Sequence, residues 1–126
     1  IFDMVRAVTE KNQKRALELY YDLLTLKEPP MRILFLLAKQ FRQICLTKKL
    51  SQEGLSQTEI ASKLGVPSFV VRNLASCARS YTVEELENAV RDFVDAEEAV
   101  KTGTLGDVLS VELLIVKYSS ARTKSA

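Results

Sequence analysis

Helix-start signals recur along this chain and point to one class of fold. The segments 56–59 (SQTE) and 82–85 (TVEE) are capping boxes, in which the hydroxyl accepts a backbone N–H and the glutamate accepts another in return. No stretch of strand length alternates strictly between apolar and polar residues, so the pattern predicts no strand. We therefore expect an all-α fold, a compact bundle of about six to seven helices.

The predicted helices are joined by short loops, which favours antiparallel packing of neighbours. They span about 1–8, 13–27, 30–50, 57–64, 68–80, 83–101 and 107–119. Asn12 is expected to cap the second helix and Asp107 the last one. Gly65 and Gly103 suit the left-handed residue that follows a helix end.

The long third helix is the expected centre of the bundle. Its predicted core face consists of Leu34, Leu37, Phe41, Ile44 and Cys45. The N-terminal half is apolar all round, so we expect that half to be buried on every side.

Composition limits the chemistry that the chain can perform. With 126 residues, of which 47% are hydrophobic, residues 1–121 can form a single helical domain, followed by a frayed tail over 122–126. The chain has no histidine, and its two cysteines are not spaced as CxxC. No glycine directly precedes a lysine, so there is no phosphate-binding P-loop. We expect no enzyme, metal, cofactor or small-molecule substrate.

The chain carries no apolar run near 18 residues and no signal peptide, so we expect no membrane partner. Two reduced thiols suit a cytoplasmic protein. The sequence opens at Ile1 inside a helical pattern rather than at a methionine. We therefore expect a trimmed piece of a longer protein, with part of the function upstream.

Charge is unevenly distributed along the chain. Residues 30–80 carry a net charge of +6 and residues 81–112 a net charge of −7. On the third helix, the basic stripe falls on one face at spacings of 7, 3 and 7; it consists of Arg32, Lys39, Arg42 and Lys49. Such a stripe is either a solvated face or a surface for an acidic partner, protein or phosphate backbone.

Residues 60–74 form a pattern similar to a helix-turn-helix. Ala61 permits close helix crossing and Gly65 a sharp turn. Possible DNA contacts are Ser68, Arg72, Asn73 and Arg79. Phe69 and Val70 occupy positions where DNA readers are polar, and we expect them to pack against another helix. A structural helix-turn-helix is therefore preferred, with a DNA-binding regulator domain as the alternative.

The order of segments along the chain resembles one family. ALELYYDLL precedes EPP and the long ILFLLAKQFRQI helix, and GLSQTEIASKLGVPSFVVRNLASCARSYTVEEL follows. A helix that closes with VKTG and a leucine-rich last helix complete the pattern. Over roughly residues 1–117, this order resembles the C-terminal domain of the delta subunit of bacterial DNA polymerase III, a clamp-loader component.

The resemblance implies a collar domain that holds subunits together. In that family, two AAA+-like domains, absent from this chain, precede the collar, and the N-terminal one grips the sliding clamp. The implied partners are the motor subunits and a delta-prime-like subunit, with DNA contacted indirectly or weakly. The implied location is the bacterial cytoplasm, at the replication machinery. Delta-type members do not hydrolyse ATP, so a non-catalytic assembly role is expected.

The last helix is apolar around most of its circumference, more than one internal face requires. We expect subunit contacts at Val108, Val111, Leu114 and Ile115, together with the basic stripe. The alternative is that this helix lies at the centre of its own domain's core. The opposed charges of the two segments suit head-to-tail packing of unlike subunits.

Overall fold

The computed structural model describes residues 1–120, and the predicted tail at 122–126 lies outside them. Within this range the chain forms helices and no strand, which confirms the all-α prediction. The helices are α1 (Phe2–Thr9), α2 (Gln13–Thr25), α3 (Pro30–Gln52), α4 (Gln57–Leu64), α5 (Ser68–Ala78), α6 (Val83–Lys101) and α7 (Asp107–Ser119). None of these helices is long and apolar enough to cross a membrane.

The long helix α3 lies at the centre and packs against α4, α5, α6 and α7. Its predicted core face is buried throughout, as expected. Phe41 anchors an aromatic cluster, with ring centroids 5.3 Å from Phe93, 5.9 Å from Tyr81 and 6.0 Å from Tyr118. The expectation that the N-terminal half is buried on every side is wrong, because Phe35 is 58% exposed where no neighbouring helix covers it.

The end of α7 is tied to residues far away in the chain. Lys11 Nζ and the Tyr81 hydroxyl both donate to the Tyr118 carbonyl, at 3.0 and 2.7 Å. Gln13 Nε2 donates to the Val116 carbonyl at 3.0 Å. The last carbonyls of a helix have no partner within the helix, so these donors satisfy them and fix α7 against the α1–α2 connection, α2 and the α5–α6 connection.

Helix ends follow the sequence signals closely. Both predicted capping boxes form, at Ser56 with Glu59 and at Thr82 with Glu85. Gly65 adopts a left-handed conformation, with φ of 70°, at the end of α4. The last helix is the exception.

The prediction that Asp107 caps α7 is wrong, because Gly106 takes that position. Asp107 is instead the first helical residue, and its carboxylate accepts from the Val108 N–H at 2.7 Å. A carboxylate there still complements the positive end of the helix dipole.

The predicted helix-turn-helix pair is present as α4 and α5. Ile60, Ala61 and Val71 form a small core of their own between the two helices. Leu74, the last residue of the 60–74 pattern, belongs to the main core instead. Both helices of the pair therefore pack against α3, and their own apolar contacts close the space between them.

Candidate interaction surfaces

Over residues 1–120, the structure shows no group of side chains that could hold a metal ion. The features that stand out are large apolar side chains at the surface. They lie on the outer side of α3 with α6, on α7, between α1 and α5, and on α2 and its C-cap residue. Large exposed apolar patches often mark the sites where a protein contacts a partner.

The basic stripe does share one side of α3. Arg32, Lys39 and Arg42 are exposed, and Lys49 is half-buried. Lys49 Nζ lies 2.6 Å from Glu87 of α6, and Arg32 Nε lies 3.4 Å from Glu28. The hydrogen bond between Lys49 and Glu87 raises the pKa of the lysine and lowers that of the glutamate. Two of the four bases are thus paired already, which leaves Lys39 and Arg42 in the middle.

Two apolar residues interrupt the stripe, and the sequence analysis missed them. Phe35 and Leu46 are 58% and 41% exposed on the same side of α3. We define the outer face of α3 as Arg32, Phe35, Lys39, Arg42, Leu46 and Lys49. Successive members are separated by three or four residues in strict alternation, so the signal was available in the sequence.

A groove of about 420 Å³ runs beside this face, between α3 and α6. Its lining is Arg42, Cys45, Leu46, Lys49, Glu87, Val90 and Arg91. Burial raises the pKa of the Cys45 thiol at its floor. One turn further along α6, Val94 is 59% exposed. The groove therefore joins an apolar floor to a rim of three bases and one acid.

The four residues predicted on α7 lie in two different environments. Val111, Leu114 and Ile115 are buried in the domain's own core, because α7 packs against α1, α2, α3 and α6. A partner that docks on the outside of the domain therefore cannot contact these three side chains. Val108 is exposed, and its carbonyl accepts from the buried Tyr20 hydroxyl at 2.8 Å.

The surface that α7 offers consists of Val108, Leu109 and Leu113, each between 43% and 49% exposed. Leu109 and Leu113 were missed because apolar residues occur around most of the circumference of the helix. Periodicity alone could not separate its inner from its outer face.

The possible DNA contacts Ser68, Arg72 and Asn73 are exposed on α5, and Arg79, also exposed, directly follows that helix. Asn73 lines a groove of about 530 Å³ between α1 and α5, whose wall includes Phe2, Val5, Glu10 and Phe69. Arg72 and Arg79 are not part of that lining.

The expectation that Phe69 is buried against another helix is wrong. The side chain is 59% exposed at the edge of the groove between α1 and α5. Val70, by contrast, is half-buried and packs against the main core, as expected. Val70 thus packs against the core, whereas the neighbouring Phe69 stays at the surface.

Comparison with known proteins identifies the family. The family described as "DNA polymerase III delta subunit, C-terminal domain" matches residues 1–118. The chain belongs to this family. The resemblance found in the order of its segments is thereby confirmed, and the DNA-binding regulator is not favoured.

Two relatives agree with this assignment, both from Bacillus subtilis. The chain is 30% identical over 125 residues to DNA polymerase III subunit delta, covering 99% of this chain and 36% of that protein. The solved structure of the DNA clamp loader delta protein YqeN superposes with a TM-score of 0.87, at 30% identity. That match covers 94% of this chain and 35% of the other. The chain thus spans about a third of the length of its relatives.

Proposed function

We propose that this chain is the subunit-assembly domain, or collar domain, of a clamp-loader delta subunit and has no catalytic activity of its own. The observation that carries the proposal is the family match over residues 1–118, a C-terminal domain of a delta subunit. An assembly domain needs a rigid body and accessible contact surfaces. The continuous core around α3 supports the first requirement.

Accessible contact surfaces are present on two elements. The outer face of α3 and the group Val108, Leu109 and Leu113 on α7 both place apolar side chains in solvent. A subunit within a ring has a neighbour on each side, so two surfaces suit such a position. Burial of these side chains against neighbours would remove apolar area from water and stabilise the assembly.

The proposed partners are the motor subunits and a delta-prime-like subunit of the clamp loader. Contact with the sliding clamp is assigned to an N-terminal domain that lies outside this chain. DNA is proposed as an indirect or weak partner, and the site of action as the replication machinery in the bacterial cytoplasm. No cofactor or small-molecule substrate enters this function.

Light scattering on gel-filtered mixtures tests the assembly role. This chain is mixed with the intact motor subunit of the same clamp loader at low and moderate salt. We expect a stable hetero-complex whose mass equals a simple sum of subunits. Separate elution of the two proteins in both buffers would refute the proposal.

The basic stripe is tested by charge reversal. Changing Arg32, Lys39 and Arg42 together to glutamate should weaken the hetero-complex and flatten its dependence on salt, because exposed charges attract an acidic neighbour through solvent.

A matched control reverses three exposed bases elsewhere, Lys63, Arg72 and Arg79, with the same change in net charge. We expect this control to keep wild-type affinity for the motor subunit. If the stripe variant also bound with unchanged affinity and salt dependence, the stripe would be no part of the interface.

A further inference from the structure

We propose that the outer face of α3 and the adjoining α3–α6 groove receive a single acidic, amphipathic helix from a neighbouring subunit. This inference rests on the proposed assembly function and specifies one of its contacts. The residues on this side of the domain support it by their spacing, their exposure and their charge.

The spacing on α3 is that of a helix-packing face. The six residues of the outer face follow one another at intervals of 3, 4, 3, 4 and 3. This is the pattern by which one helix presents side chains to another, since it keeps them on one line along the axis. From Arg32 to Lys49 the line is about 25 Å long at about 1.5 Å per residue. The opposite side of α3 already fills the core. Within residues 1–120, this second face makes ion pairs at its two ends, Arg32 with Glu28 and Lys49 with Glu87, and leaves Phe35 and Leu46 exposed between them.

Apolar anchor points lie along this line and in the groove beside it. Leu46 is both a member of the outer face and part of the groove lining, next to Val90. Phe35 and Val94 extend the exposed apolar surface beyond the groove. A helix laid along α3 could insert one or two apolar side chains into a groove of about 420 Å³.

The charge around the groove selects the kind of helix. Arg42, Lys49 and Arg91 line it, against the single acid Glu87. Lys39 adds a further exposed base to the outer face. Carboxylates that flank the apolar anchors of an incoming helix would meet these bases, whereas a basic helix would be repelled. The apolar residues at helical intervals favour a helix over a phosphate backbone, because phosphates gain nothing from Phe35 and Leu46.

The decisive experiment compares two matched substitutions in the complex with the intact motor subunit. Leu46→Glu places a carboxylate in the α3–α6 groove, and Phe69→Glu places one in the groove between α1 and α5. Both native side chains are substantially exposed, so both variants should keep the wild-type thermal unfolding midpoint within a few degrees. We expect Leu46→Glu to raise the Kd at least tenfold and Phe69→Glu to change it less than twofold. Arg42→Ala, which adds no carboxylate, should raise the Kd severalfold.

The other possible outcomes distinguish a failure of the helix site from a failure of the assembly function. If the wild-type complex forms and Leu46→Glu binds as well as the wild type, the helix site is refuted while the assembly function stands. If the wild-type chain forms no complex, both proposals fall together. If Arg42→Ala weakens salt-sensitive binding of a duplex DNA but leaves the motor subunit bound as before, this face contacts phosphates, and the helix proposal is overturned.

Discussion

The hydroxyl of Tyr81 joins three parts of the chain at a single buried point. It donates to the Tyr118 carbonyl at 2.7 Å and lies 3.4 Å from the Val8 carbonyl. Lys11 Nζ lies 4.0 Å from the centre of the Tyr81 ring, a cation–π contact. Burial raises the pKa of Tyr81 above its ordinary value, which already keeps the hydroxyl protonated at physiological pH.

Removal of this hydroxyl should cost measurable stability. Tyr81→Phe leaves the Tyr118 carbonyl to Lys11 alone, and we expect the free energy of unfolding to fall by about 1 kcal/mol. Urea denaturation measures the change. Tyr21→Phe is the matched control, since its exposed hydroxyl bonds to Glu112 at the surface, and it should cost less than about 0.5 kcal/mol. A loss for Tyr81→Phe no larger than for the control would contradict this role.

Single residues also show which features of burial could not be predicted from the sequence. Phe35, Phe41 and Phe69 have the same side chain, yet Phe41 is buried and the other two are exposed. Phe41 was predicted correctly because it lies on the periodic core face of α3. Phe35 lies at helical intervals from the basic stripe, so its exposure could have been predicted from the sequence. The exposure of Phe69 depends on which helices cover it, and that arrangement is not encoded in the local pattern.

Among the helices, the ends were more predictable than the faces. Both capping boxes formed where the sequence places them, because a cap depends on residues within one turn. The inner and outer faces of α7 were not predictable, since its own apolar residues are distributed around most of its circumference. Its orientation follows from distant contacts such as that between Gln13 and the Val116 carbonyl.

The turn between α4 and α5 depends on Gly65. Its φ of 70° is costly for residues with a Cβ, although a Cβ here would meet nothing within 4 Å. Gly65→Ala should therefore lower the free energy of unfolding by about 1 kcal/mol through backbone strain alone. Gly65→Asn should cost less, because asparagine tolerates the left-handed region. Urea midpoints of the two variants test this, and equal losses would point to a cause other than φ.

For the whole domain, the fold class could be predicted from the sequence, but the contact surface could not. The all-α class and the central place of α3 followed from periodicity and helix-start signals. The contact surface required the structure, since only burial separates Val111 in the core from Leu113 at the surface. The residues that the domain can offer to neighbours are therefore those left over once α3 and α7 have filled the core.

Acid should destabilise the whole domain through carboxylates that are hydrogen-bonded when it is folded. Burial would raise the pKa of Asp92, but hydrogen bonds from Lys117 and Tyr118 outweigh burial and lower it. Hydrogen bonds likewise lower the pKa of Glu59, at the capping box, and of Glu87.

Because these pKa values are lower in the folded state, the unfolded chain binds more protons as the pH falls. The stability that these carboxylates contribute is present above their unfolded pKa values, near 4, and is lost as the pH falls through the folded ones. Urea midpoints measured from pH 7 to pH 3 should therefore decline below about pH 5. Asp92→Asn should lower the midpoint at pH 7 and make the decline shallower, because the ion pair with Lys117 is already lost. Asp95→Asn, at an exposed carboxylate on the same helix, is the control and should leave the shape of the curve unchanged. A curve for Asp92→Asn that is parallel to the wild type would show that Asp92 contributes nothing to the acid sensitivity.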